Sequence, residues 1–159
     1  MSRNTLEQIR ALLNSEGIDF REVKHAPTRT SEESAAARGE SMSVGAKALL
    51  LKTDDVFRLF VLPADRKLAS RAIRHHLGVK RTRFATREEL HKMTGLVPGS
   101  VPPFGEPILP FELYADEGVG QHIDRVAFNA GSLTHSIIMN ATDWDKLAKP
   151  ERFRFSQES

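Results

Sequence analysis

Between residues 94 and 107 the chain reads TGLVPGSVPPFGEP, with three glycines and four prolines in fourteen residues. Proline lacks the amide donor and fixes φ, so this stretch can neither continue a helix nor pair as a central strand. It is a shaped loop. A turn alone needs about four residues, and this segment keeps adding rigid residues well past that. Its glycines permit positive φ and close approach of another group, and its prolines lower the entropy lost on ordering. Long ordered loops in compact domains usually carry function, so a ligand is the reading to weigh against a well-made connection.

The 159 residues suit one domain with a substantial core, expected over residues 1–150 with a loosely held tail at 151–159. Hydrophobic residues make up 40% and charged residues 28%, a globular balance, and no apolar run approaches the roughly 20 residues that cross a bilayer. No membrane partner is expected. The first residues, MSRNTLEQIR, lack an apolar signal core, so a cytoplasmic location is the default expectation. The absence of cysteine excludes disulfides, thiolate nucleophiles and thiolate-ligated zinc. The formal charge is only +2, but cations concentrate between Arg66 and Lys92, which permits a polyanion partner.

Asn4 with Glu7, and Leu6, Ile9, Leu12 and Leu13 on one face, predict a helix over 5–15. A short strand follows from Ile18 and Phe20. The turn at 25–30 leads to a capped helix over 31–38, closed by Gly39. Residues 43–52 and 56–62 predict a hairpin about a Thr53, Asp54, Asp55 turn. Lys47 lies within its first strand on the face of Leu49 and Leu51, so its ammonium sits at a sheet edge, snorkels to water, or lines a pocket. Asp65 is expected to cap a helix ending at Gly78, Thr86 with Glu89 to open another through Met93, and Thr142 to cap a last one stopped by Pro150. Strands are expected over 80–85, 108–115, 125–129 and 133–139. Helices and strands mix without strict alternation, which indicates an α+β fold with a mixed, curved sheet.

The common catalytic signatures are missing: no nucleophile elbow, no Walker loop, no dinucleotide fingerprint and no paired-histidine metal motif. His75 and His76 are adjacent on a helix and diverge, and His122 and His135 have no local partners that select a role. No metal and no cofactor is expected.

Four segments in order, His25-Ala26-Pro27 with Thr30 and Glu33, Lys47 followed by Ala48 and three leucines, the run GLVPGSVPPFG from Gly95, and Asn129-Ala130-Gly131, together resemble the YbaK and prolyl-tRNA synthetase-associated editing domains. The resemblance runs from about Leu6 to Leu147, and the Gly/Pro loop is its most specific part. It implies a barrel-like mixed sheet of six or seven strands with helices outside. The implied activity is hydrolysis of the ester of a mischarged aminoacyl-tRNA, acting in trans, with tRNA for proline as the first candidate. Lys47 matches the family's strand lysine, and Gly95, Pro98, Gly99 and Ser100 match its catalytic loop. His25, Thr30, Leu49, Leu96, Val97, Phe104, Asn129, Ala130 and Gly131 would contact substrate. At two places the chain departs from members that remove alanine: Ala48 stands where they carry asparagine, and no histidine occurs near the final turn.

An aminoacyl ester is already activated, and no side-chain nucleophile is evident here. The resemblance implies substrate assistance, in which the neighbouring ribose hydroxyl positions or activates water. Loop amides from Gly95 to Ser100 would form the oxyanion hole, and Lys47 would hold the terminal phosphate or ribose. Arg71, Arg74, Lys80, Arg81 and Arg83 could meet acceptor-stem phosphates, or simply form a solvated basic face. The expected partner is the 3′ end of a mischarged tRNA, with prolyl-tRNA synthetase as a second candidate. The alternative is a non-catalytic module that binds an aminoacyl group or nucleotide.

Overall fold

The computed structural model describes residues 4–28, 30–121 and 123–158; Arg29 of the predicted turn and His122 lie outside them. In chain order the elements are α1 (Thr5–Ser15), β1 (Phe20–Lys24), α2 (Ser31–Arg38), β2 (Ala46–Thr53), β3 (Val56–Pro63), β4 (Arg66–Leu68), α3 (Ser70–Leu77) and β5 (Thr82–Phe84). There follow α4 (Arg87–Thr94), β6 (Leu113–Asp116), β7 (Arg125–Asn129), β8 (His135–Asn140), α5 (Ala141–Ala148), β9 (Glu151–Phe153) and β10 (Ser156–Glu158). This is the expected α+β class with mixed strand directions. The five-stranded sheet has the order β5-β2-β3-β6-β9, antiparallel on the β2 side and parallel through β3, β6 and β9. A three-stranded sheet, β1-β8-β7, meets it at a bridge between Gly45 and Ala127, and β4 pairs with β10 in a third.

Local chemistry sets several boundaries. Thr30 with Glu33, and Thr86 with Glu89, form complete capping boxes, and Gly39 and Gly95 end the same helices in the left-handed region. The main core gathers Ile9 and Leu13 of α1, the inner faces of β2, β3 and β7, and Phe104 and Trp144; a second cluster holds Leu51, Phe60, Leu62, Ile73, Phe153 and Phe155.

Four boundaries differ from expectation. Asp65 does not cap a helix, because residues 66–68 pair with β10 and α3 starts only at Ser70. The last helix is capped by Asn140, whose side chain accepts from the Asp143 amide, rather than by Thr142. Nor are residues 151–158 of the expected tail loosely held: β9 and β10 pair within sheets, and Phe155 is fully buried. The extended strand expected over 108–115 shrinks to β6, since residues 105–111 close turns on one another.

Candidate active site

The Gly/Pro loop has two halves. Val101 to Gly105 are buried, with Phe104 edge-on to Phe128 at 5.5 Å and the indole of Trp144 donating to the Pro103 carbonyl at 3.0 Å. That half is an anchor. In the other half the amides of Gly95, Leu96, Val97 and Ser100 already donate, to the His91 carbonyl, Thr94 Oγ1, Ser100 Oγ and the Val97 carbonyl respectively. Among the described residues no partner takes the amide of Gly99, where φ is +88°. The expected set of several loop donors is therefore corrected to one, because the rest hold the loop in shape. Ser100 is a brace, buried to 2% exposure, its hydroxyl donating to the Val97 carbonyl at 2.7 Å.

Gly99 and Lys47 line one cleft of about 200 Å³, with Thr28, Thr30, Ser31, Ser34, Arg38, Leu49 and Asn129 among the other walls. Its floor follows from strand pairing: β5 pairs with β2 only at residues 51–53, so residues 46–49 keep an edge that no described strand covers. Lys47 Nζ donates to the Arg66 carbonyl at 2.6 Å. Burial pushes its pKa below the ordinary value, against the pull of Asp65. Of the alternatives for this lysine, the sheet edge and the pocket lining hold together.

Opposite it stands a group that the sequence reading missed. Arg38 is 7% exposed and forms no salt bridge among the described residues. Its Nε donates to Ser136 Oγ at 2.9 Å and its Nη2 to Asn129 Oδ1 at 3.1 Å. Ser136, fully buried, donates to the same Asn129 oxygen at 3.1 Å. With both donors on Oδ1, the Asn129 amide must present Nδ2 to the loop, and it does, to the Gly99 carbonyl at 2.7 Å. His25 joins the same network, with Nε2 2.9 Å from Ser136 Oγ and Nδ1 2.8 Å from the Ala26 carbonyl. Burial lowers the Arg38 pKa to about 10, which leaves it cationic at neutral pH. Gly45 permits a close approach beside the cleft: a Cβ there would lie 2.8 Å from Ala64 Cβ and 3.2 Å from the Met42 carbonyl oxygen. The signal existed in the sequence, since Ser31, Ser34 and Arg38 fall at i, i+3 and i+7 on one helix face.

Other expected contacts sit elsewhere. Leu96, Phe104 and Ala130 are buried in the core, and Gly131 packs so closely on α1 that a Cβ would meet Thr5 at 2.7 Å. These four are corrected from substrate contacts to scaffold. Val97 and Pro98 line a separate hollow that shares Thr28 and Gly99 with the cleft. His25 stands behind the wall, and Thr30 is both helix cap and rim. Arg74, Lys80, Arg81 and Arg83 line an open basic groove with Lys52, Asp54 and Asp55, whereas Arg71 lies outside it. Arg83 is engaged by Glu89 at 2.8 Å.

Residues 25–147 match the family model described as the aminoacyl-tRNA editing domain. The chain belongs to the aminoacyl-tRNA editing domain family. Within that family it is 35% identical over 156 residues to the multifunctional Ser/Thr-tRNA deacylase ProXp-y of Escherichia coli K12, covering 95% of this chain and 92% of that protein. It is also 35% identical over 102 residues to the proline–tRNA ligase of Shouchella clausii, which is 64% of this chain and 18% of the ligase. A solved structure described as a candidate trans-editing enzyme for prolyl tRNA synthetase superposes with a TM-score of 0.83 at 22% identity, covering 99% of each chain. That likeness carries the fold of this editing domain. Among the described residues no helix is long and apolar enough to cross a membrane, and no cluster of metal-ligating side chains occurs.

Proposed function

We propose that this chain is a trans-acting deacylase that hydrolyses the ester of a mischarged aminoacyl-tRNA. The observation that carries the reading is the cleft lined by Lys47, the buried Arg38 and Gly99, whose amide no described residue engages. An ester entering it would meet the Gly99 N–H as oxyanion donor, a kind of contact worth on the order of 10²–10³ in rate. Lys47 retains donors beyond the one given to Arg66, and holds the terminal phosphate or ribose. No side chain supplies a nucleophile, so the vicinal ribose hydroxyl orients the attacking water.

The cleft is small, and the hydroxyls of Thr28, Thr30, Ser31 and Ser34 lie along it, with Ser34 donating to Thr28 at 2.8 Å. A short, hydroxylated aminoacyl group fits such a wall. Together with the 35% identity to a Ser/Thr-tRNA deacylase, this makes seryl and threonyl esters the first substrates to try. Editing is needed where a synthetase pocket separates amino acids by only a few kcal/mol. We infer tRNA for proline as one carrier, prolyl-tRNA synthetase as a working partner, and the cytoplasm as the site of action.

The test is a panel of tRNAs charged with serine, threonine, alanine and proline, scored for release of amino acid. Serine or threonine should be released fastest, and Lys47→Ala should lower kcat/KM about 10²-fold through lost positioning. Retention of every ester would overturn hydrolysis in favour of a binding module. Unchanged turnover in Lys47→Ala would remove the lysine from the mechanism.

A further inference from the structure

We propose that Phe84 is a stacking platform for an unpaired base adjoining the reactive 3′ end of the RNA, an inference that rests on the deacylase reading and adds a contact to it. Phe84 is 58% exposed, and Val56 is the other large apolar side chain left open among the described residues. A phenyl ring at that exposure gains little from folding. No ring and no cation covers it among the described residues, and its sequence neighbours are the polar Thr82, Arg83 and Thr86 and the small Ala85.

Its place in the ladder gives it a direction. Phe84 opposes Leu51, the last pairing before β5 leaves β2, so its side chain projects on the face of Leu51, Leu49 and Lys47. Leu49 is its diagonal neighbour, about 7–8 Å away, and lines the cleft. Farther along β5, at Thr82 and the turn before it, lies a groove lined by Arg74, Lys80 and Arg81; Lys52 and Arg83, which also line it, pair with each other on the opposite face of the strands. Asp54 of that groove accepts from the Lys80 and Arg81 amides at 3.1 and 2.9 Å, which fixes the turn that carries both cations.

Cleft, aromatic ring and the cations of Arg74, Lys80 and Arg81 therefore follow one another along β2 and β5. A single-stranded RNA terminus has the same order of chemistry: a reactive end, then a flat base, then successive phosphates. Base stacking on an exposed aromatic beside a basic track is how sequence-tolerant single-strand sites are built. A peptide partner would call for a contiguous exposed apolar patch, and the apolar residues on the ring's own face are buried (Leu51) or half-buried (Leu49).

The experiment compares Phe84→Ala, Phe84→Leu and Phe84→Trp with the parent chain. One arm measures deacylation of the mischarged tRNA that the panel identifies. The other measures fluorescence of a short RNA ending in CCA whose cytidines are replaced by pyrrolo-cytidine. Phe84→Ala and Phe84→Leu should raise KM roughly 10-fold and abolish quenching, with kcat and melting temperature near those of the parent, while Phe84→Trp keeps both. An unchanged KM in Phe84→Ala, or full activity and quenching in Phe84→Leu, would overturn stacking; the latter result would mark an apolar docking point instead. Lys47→Ala run alongside separates the two claims, because its loss of kcat upholds the deacylase whatever Phe84 does. If the parent hydrolyses nothing, the quenching arm still decides whether Phe84 stacks.

Discussion

At Asn129 a single amide joins the two sides of the cleft: its oxygen takes two donors from α2 and β8, and its nitrogen grips the Gly99 carbonyl. Asn129→Asp keeps shape and volume but puts a second acceptor against that carbonyl. We expect kcat/KM to fall at least 10-fold while the melting temperature changes little, since the new carboxylate gains Arg38 as an ion-pair partner; kinetics and thermal melts on one preparation check both. Arg38→Met, by contrast, removes one donor each from the oxygens of buried Ser136 and of Asn129 and should cost about 1–3 kcal/mol in denaturant unfolding. Lys47 was legible because a lone cation among leucines is conspicuous. Arg38 was not, because a basic residue in the last turn of a helix is ordinary, favoured by the dipole alone. Only packing against β7 and β8, distant in sequence, turns it into part of the site.

Elements whose ends are written in local chemistry were readable to within a residue or two. The Thr86 capping box, the hairpin and α1 stand where Thr86, the Asp54 turn and Asn4 put them, and α2 ends at Gly39 as expected. The failures share a cause: β4 and β10 exist only through each other, and no local pattern announces a three-residue strand whose partner is ninety positions away. α4 also carries a pH signature. The hydrogen bond from Arg83, followed by that from the Thr86 amide, holds the Glu89 carboxyl at about 2 against an ordinary 4.5. A lowered carboxyl stabilises the fold above its unfolded value and loses that contribution as protons return. The parent should therefore lose its melting-temperature advantage over Glu89→Gln as pH falls from about 4.5 toward 2, and a thermal series across that interval measures it. The same helix delivers the chain to Gly99, where φ of +88° makes alanine strained. The loop's outline was legible in its prolines, but which of its amides remained unengaged was a matter of three-dimensional bonding.

Across the whole molecule, the second core depends on both ends of the fold. Phe155 lies edge-on to Phe60 at 5.5 Å and tilted against Phe153 at 4.9 Å, and Asp116, itself buried, accepts from the Phe155 and Ser156 amides at 2.8 and 2.9 Å. Phe155→Ala should cost about 3–5 kcal/mol, and removal of residues 151–159 should abolish cooperative unfolding, both read by denaturant titration. A tail of that length with three charged residues before its second phenylalanine resembles a frayed end in sequence, and only the apolar face of β3 and α3 gives its phenylalanines somewhere to go.

The carbonyl that steadies the Lys47 ammonium belongs to Arg66, on the strand zipped to β10, and the Arg66 side chain is clasped by Ser156 Oγ at 2.7 Å. The reactive hollow thus has a remote mooring. Any bulky fusion, nick or adhesive surface that peels β10 away would slacken the lysine without coming near the ester, and would read as a kinetic defect in a protein whose cleft is chemically intact.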